Sequence, residues 1–166
     1  MFLPQYTQAE DEKKEETTEV KTEIKVENHL KLNLKIDSGV CRSRSPIMAQ
    51  LTFDNLSVKP QKLCTYKFYD SLIKLDIRNS KGEKVEFQPK LIQASKITSK
   101  DWVNISSGRF YKTQFSLSKM IVDATGRRLA PGNYSIRVIY DGCSKFAPEL
   151  PEVKLESNLF YLMVID

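Results

Sequence analysis

From Leu30 to Ile36 the apolar residues fall on every even position, Leu30, Leu32, Leu34 and Ile36, while Lys31, Asn33 and Lys35 take the odd ones. A period of two places one residue set on each face of an extended chain, so this stretch predicts a strand buried on one side and wet on the other. The same alternation reaches back through Ile24 and Val26. It returns in "IMAQLTFD", where Ile47, Ala49, Leu51 and Phe53 oppose Met48, Gln50, Thr52 and Asp54. No stretch shows a helical period of useful length, and that fixes the fold class more firmly than any motif.

Further strands follow. "LIKLDIRNSKGEKVEF" puts Ile73, Leu75 and Ile77 on one face, turns at Asn79–Gly82 and returns through Val85 and Phe87. "SSGRFYKTQFSLS" predicts a strand ending near Phe115 and Leu117, and "DATGRRLAPGN" reads as a loop punctuated by Gly126, Pro131 and Gly132. "GNYSIRVIYDG" turns Tyr134, Ile136, Val138 and Tyr140 inward against Ser135, Arg137 and Ile139, and "SNLFYLMVID" is apolar on both faces. Seven or so short strands imply an all-β, immunoglobulin-like, antiparallel two-sheet Greek-key sandwich over residues 28–166. In that assignment Tyr134 stands where such folds place a tyrosine whose hydroxyl bonds back to the preceding loop, which makes it part of the frame. Lys31, Lys35 and Arg137 are the kind of charge that blunts sheet edges, and the expectation is a monomer.

Residues 1–27 carry four Lys against eight Asp or Glu, which leaves 22 basic and 13 acidic residues, a balance of +9, for the rest. "QAEDEKKEETTEVKTE" has too little apolar surface to offset the entropy of ordering itself, so 1–27 reads as a disordered acidic tail. As a flexible coil it would span about 28 Å. A helix is the competing reading, but there is no apolar stripe for it to bury. No run approaches the roughly 18 apolar residues of a membrane helix. "MFLPQYTQ" lacks a basic segment followed by an apolar run, so the expected location is extracytoplasmic, periplasm or cell surface, if a leader has been removed, and cytoplasmic otherwise.

"LTFDNLSVKPQKL", "IKLDIRNSKGEKVEF", Trp102 and "ATGRRLAPGNYSIRVIY" together resemble small bacterial immunoglobulin-like proteins that include the intracellular proteinase inhibitor family. "ISSGRFYKTQFSLS" is similar to a strand of the sandwich domain accompanying deuterolysin-type metallopeptidases. The resemblance covers about residues 30–141 and implies a noncatalytic module with protease association. Within that layout Cys64 and Cys143 emerge at the same end, as a disulfide pair if their Cα atoms come within about 7 Å, with Cys41 free at the other end. The other reading keeps all three as cytosolic thiols.

The chemistry of an active site is missing. His29 is the sole imidazole, it precedes the first strand on its outward register, and no nucleophile motif, phosphate cradle or dinucleotide fingerprint accompanies it. Paired carboxylates remain open, although Asp and Glu fall mostly at outward strand positions or in the tail. The cysteines lack metal-ligand spacing. The expectation is a protein without catalytic activity, cofactor or metal.

Binding is the expected business of the fold, with another protein as partner. "VKPQKLCTYKFYD" and "YDGCSKFAPELP" interleave Tyr66, Phe68, Tyr69 and Phe146 with Lys59, Lys62, Lys67 and Lys145. Aromatic and basic residues on rigidly held loops commonly recognise partners, so Lys62, Tyr66, Phe68, Tyr69, Lys145 and Phe146 form the candidate docking surface. The competing reading folds these aromatics back as a satellite core. "CRSRSP" offers Arg42 and Arg44 to an acidic patch, but no nucleic-acid recognition motif accompanies it, so nucleic acid is not an expected partner. Alternative functions are a proteinase inhibitor using an exposed loop such as 59–70, and an accessory domain of a secreted enzyme system. Three N-x-S sequons, at Asn55, Asn104 and Asn133, matter only in a eukaryotic secretory setting, where both Asn55 and Asn133 are expected at exposed places.

Overall fold

A computed structural model describes residues 29–43, 45–87, 96–121, 129–150 and 152–166. The acidic tail, Ile24, Val26, Arg44 and the whole of "DATGRR", Gly126 included, lie outside the described residues.

The described chain is all-β. One sheet runs in the order β1 (Leu30–Ile36), β3 (Met48–Asn55), β7 (Phe110–Ser116), with antiparallel pairing throughout. The other runs β2 (Val40–Arg42), β10 (Phe160–Ile165), β8 (Gly132–Asp141), β5 (Ile73–Asn79), with β9 (Lys154–Glu156) also on β8. A third ladder joins β4 (Gln61–Cys64) to β6 (Trp102–Ile105). Two expectations are corrected. The sheets are not purely antiparallel, since β2 joins β10 in parallel through Met163↔Val40 and Ile165↔Arg42. Residues 61–64 are a strand, not a loop.

The period-two pattern decides which side chains meet. β1 buries Leu30, Leu32, Leu34 and Ile36, β3 buries Ala49, Leu51 and Phe53, and β8 buries Ile136, Val138 and Tyr140. The two large sheets close on one another through Phe53 and Tyr140, whose rings meet edge to face at 5.3 Å. Aliphatic and aromatic side chains buried this way each contribute roughly 1.5–3 kcal/mol relative to exposure. Truncating Phe53 to Ala would therefore cost about 3–5 kcal/mol once the cavity is included. The last strand, apolar on both faces in sequence, buries only Leu162 and Val164 and leaves Tyr161, Met163 and Ile165 in water.

Free edges are closed by side chains. Asn158 mimics a neighbouring strand on β1: its Oδ1 accepts from the Leu34 amide at 2.7 Å and its Nδ2 donates to the Leu34 carbonyl at 3.1 Å. Ser38 Oγ accepts from the Val40 amide and donates to the Val40 carbonyl on β2. The Tyr69 hydroxyl donates to the Gln114 carbonyl of β7. The chain returning past the Asn79–Gly82 turn covers β5, with the Val85 amide donating to Ile77. Gly82 closes that turn at φ +81°, a conformation that strains any side chain. Unpaired strand groups template further pairing, and each of these contacts occupies such a group on its edge. Arg137 plays no part in this, because β8 is an interior strand and its guanidinium bonds Glu156 at 2.9 Å.

Candidate functional site

The aromatic end expected to dock a partner is largely turned inside. Lys67 takes the left-handed conformation (φ 42°, ψ 45°), rare outside glycine, and opens a single wide helical turn over Phe68–Leu72. That reversal drives Tyr66 and Phe68 into the core, where the Phe68 ring packs on Phe53 at 5.7 Å and Tyr66 meets Phe146 at 5.1 Å. Half-buried Tyr69 lies against Phe115 and hydrogen-bonds the β7 edge. The Lys145 ammonium donates to the Ser71 carbonyl; burial, then the Lys74 charge, push its pKa down, against the opposing pull of Asp141. Of the six, Lys62, on β4 opposite Asn104, and Lys145 are exposed, and Lys145 is held by its bond to Ser71. Tyr66 and Phe68 are therefore core residues rather than contact residues, because apolar rings with a core to reach leave water.

The same end carries the disulfide. Cys64 at the end of β4 and Cys143 beyond β8 are bonded, with Cα atoms 6.1 Å apart. The Tyr140 hydroxyl donates to the Cys64 carbonyl at 3.0 Å, and burial holds that phenol's pKa far above its ordinary value. With β4 paired to β6 and closed by this bond, residues 59–70 are not the exposed loop an inhibitor would insert into a protease cleft. Cys41 is a free thiol, half-buried on β2, its pKa raised by burial.

Asn55 is also reassigned. Expected at an exposed turn, it is only 1% exposed. Its Nδ2 donates to the carbonyls of Lys59 and Ile105 at 2.8 and 2.9 Å, and its Oδ1 accepts from the amide and hydroxyl of Ser57. An amide with every site engaged in the interior is a turn organiser and leaves no room for a glycan; Asn104 and Asn133 are exposed. Tyr134 stands at the start of β8 with its hydroxyl donating to the Ala130 carbonyl at 2.9 Å, the bond back to the preceding loop that the sequence placed there.

Exposed apolar surface gathers on the other side of the second sheet. Tyr161 is 72% exposed, and Met163 lies beside Val40 in the parallel register. With Tyr134, Asn133, Ser135 and the Asn79–Gly82 turn they line a groove of about 580 Å³, within the range of about 300–1,000 Å³ typical of binding clefts. No Asp, Glu, Lys, Arg or His lines it. Asn79 is spent within its own turn, its Oδ1 accepting from the Lys81 and Glu83 amides and its Nδ2 donating to the Glu83 carboxylate at 2.7 Å, which leaves Ser80, Asn133, Ser135 and the Tyr161 hydroxyl as the polar groups facing the groove. The signal in the sequence is the strand "FYLMVI", apolar on both faces, whose outward register is Tyr161, Met163 and Ile165.

The neighbouring outer face of β5, β8 and β9 is unlike it. Glu156, Arg137, Asp76 and Arg78 alternate in sign across the strands, and Lys74 pairs with Asp141. That is a solvated mixed ladder and not a basic stripe. Arg42 is exposed beside Ser43, Ser45 and the Asp166 end. His29 is exposed, and its carbonyl accepts from the Leu56 amide. Among the described residues no three His, Cys, Asp or Glu side chains gather as a metal site, and no helix is long and apolar enough to cross a membrane.

No protein-family model matches the chain, and no curated protein matches it by sequence. Among solved structures it is similar to the sporulation control protein Spo0M of Bacillus subtilis, at 10% identity and a TM-score of 0.44, covering 84% of this chain and 50% of that one. A beta-glucosidase from Listeria innocua gives 14% identity and 0.43, covering 83% of this chain and 16% of that one. The Pseudomonas fluorescens alkylpurine DNA glycosylase AlkC gives 15% and 0.36, covering 78% and 30%. The chain thus spans half or less of the length of each, and likeness at this level assigns no activity. None of the three is a proteinase inhibitor or a deuterolysin companion.

Proposed function

We propose that the chain is a noncatalytic protein-interaction module that receives a neutral, proline-rich segment of its partner in the groove along β10. The observation that carries this reading is an open, charge-free groove walled by Tyr161, Met163 and Val40 on a chain in which 28% of residues are charged. A charge-free lining leaves an acidic or basic segment without partners, and desolvating its charges would cost affinity. Addition of a strand at β2 is opposed by Ser38, which already holds both Val40 backbone groups. A polyproline II segment needs no free edge. It docks on aromatic-lined grooves and keeps its carbonyls unbonded, as acceptors for Asn133 and Ser135.

Selection from a displayed random-peptide library, with a Tyr161→Ser, Met163→Ser double variant as counter-screen, tests this. Both side chains face water, so the variant keeps the wild-type unfolding midpoint. The proposal expects neutral, proline-containing sequences retained by the wild type and lost by the variant. Enrichment of charged sequences, retention by the variant, or no enrichment at all would refute it.

A further inference from the structure

Independently of the groove, two adjoining loops form a second surface. The Asn55 amide donates to the Arg109 carbonyl at 2.9 Å, the Gly108 amide to the Asn55 carbonyl at 3.2 Å, and Ser107 Oγ to the Ser57 carbonyl at 2.8 Å, so the 55–60 and 106–110 turns are stitched side by side. On the first turn Leu56 is 70% exposed and Val58 89%, and at the start of β7, where the second turn ends, Phe110 is 57% exposed. These are large apolar side chains held out in water by a rigid frame, since the buried Asn55 amide fixes the turn beneath them. Around them stand Lys59, Arg109 and Lys112, all exposed, with the Lys112 ammonium 4.8 Å from the Phe110 ring centroid. Asp54, in register with Phe110, is already bonded by the Asn33 amide at 2.6 Å.

We infer that this loop pair is a peripheral membrane-docking tip that inserts Leu56, Val58 and Phe110 among the headgroups of an anionic bilayer while Lys59, Arg109 and Lys112 hold lipid phosphates. The composition favours lipid over protein. Protein anchors fill pockets of a matching partner, whereas exposed apolar side chains neighboured by cations suit a soft interface that is apolar beneath an anionic surface. Each cation near such a surface strengthens binding about fivefold, and the gain fades as salt screens it.

Co-sedimentation of the full chain with phosphatidylcholine vesicles, with and without phosphatidylglycerol, provides the test. Two variants accompany the wild type: Leu56→Ser with Val58→Ser, and Lys59→Glu with Lys112→Glu. All four side chains are exposed, so equal urea midpoints certify the folds. The wild type is expected to sediment with anionic vesicles at low salt, to be released by high salt, and to ignore neutral ones. Each double variant is expected to bind at least tenfold more weakly. Equal binding to neutral vesicles, or binding that survives both variants, overturns the inference. So does a wild type that ignores every vesicle, which would hand the tip to a protein contact.

Discussion

Replacing Asn55 tests how the 55–60 turn is built. Asn55→Ala removes four hydrogen bonds, but they are not equal. The bond to the Ile105 carbonyl is enclosed, and losing a donor there costs about 1–3 kcal/mol. The three to Lys59 and Ser57 are reachable by water, and each falls near the lower end of the net range, about 0.5 kcal/mol. The sum is about 3 kcal/mol. With a urea slope of about 2 kcal/mol/M, the midpoint should drop by about 1.5 M. Asn55→Asp sharpens the argument, because it sets a carboxylate oxygen against two carbonyls in the interior. Near neutral pH it should be less stable than the alanine variant. Burial raises that carboxyl's folded pKa above its unfolded value, so the folded state binds more protons and the penalty shrinks as pH falls toward about 4. A loss under about 0.5 kcal/mol for Asn55→Ala, or an Asp variant indifferent to pH, would refute the reasoning.

Removing the disulfide with Cys64→Ser and Cys143→Ser frees a separation of 79 residues, and the chain-entropy estimate is about 4.5 kcal/mol; the double variant's urea midpoint should match that of the reduced wild type and be indifferent to reductant, and thiol titration of the denatured wild type should find one thiol before reduction and three after. Tyr140 keeps its proton in the folded state well above the unfolded pKa of about 10, so its share of stability is complete below that pH and is lost as pH rises. Alkaline unfolding curves should therefore flatten in Tyr140→Phe, and an unchanged slope would contradict the assignment. Tyr134→Phe deletes only the bond to Ala130 and should lower stability by about 1 kcal/mol in thermal unfolding; a loss above about 3 kcal/mol would mean that the hydroxyl does more than tie down the loop.

The strands legible in the sequence are those with a wet face and a dry face. β1, β3 and β8 alternate cleanly because each is half-buried, and the face each one buries follows from its period-two apolar residues. β2, β4 and β6 escaped notice at three or four residues, too short for a period to show. Tyr66 and Phe68 misled because aromatics among lysines read alike whether they face a partner or a core. What decides between these is the left-handed turn at Lys67, which no local pattern announces. The last strand is apolar on both faces in the sequence, but which face is covered depends on the sheet opposite, and nothing among the described residues covers Tyr161 and Met163. Asn55 was visible only as a sequon, since the reach of its amide to Ile105 depends on a strand 50 residues away.

The central claim is that the groove along β10, and not the disulfide-closed end, receives the partner. Amide chemical-shift mapping of the isotopically labelled chain, titrated with a neutral proline-rich peptide, tests it most directly. The account predicts saturable shifts confined to Val40, Asn133, Ser135, Tyr161 and Met163, absent in Tyr161→Ser with Met163→Ser. Shifts centred on Lys62, Tyr69 and Phe146, or none at saturating peptide, would contradict it.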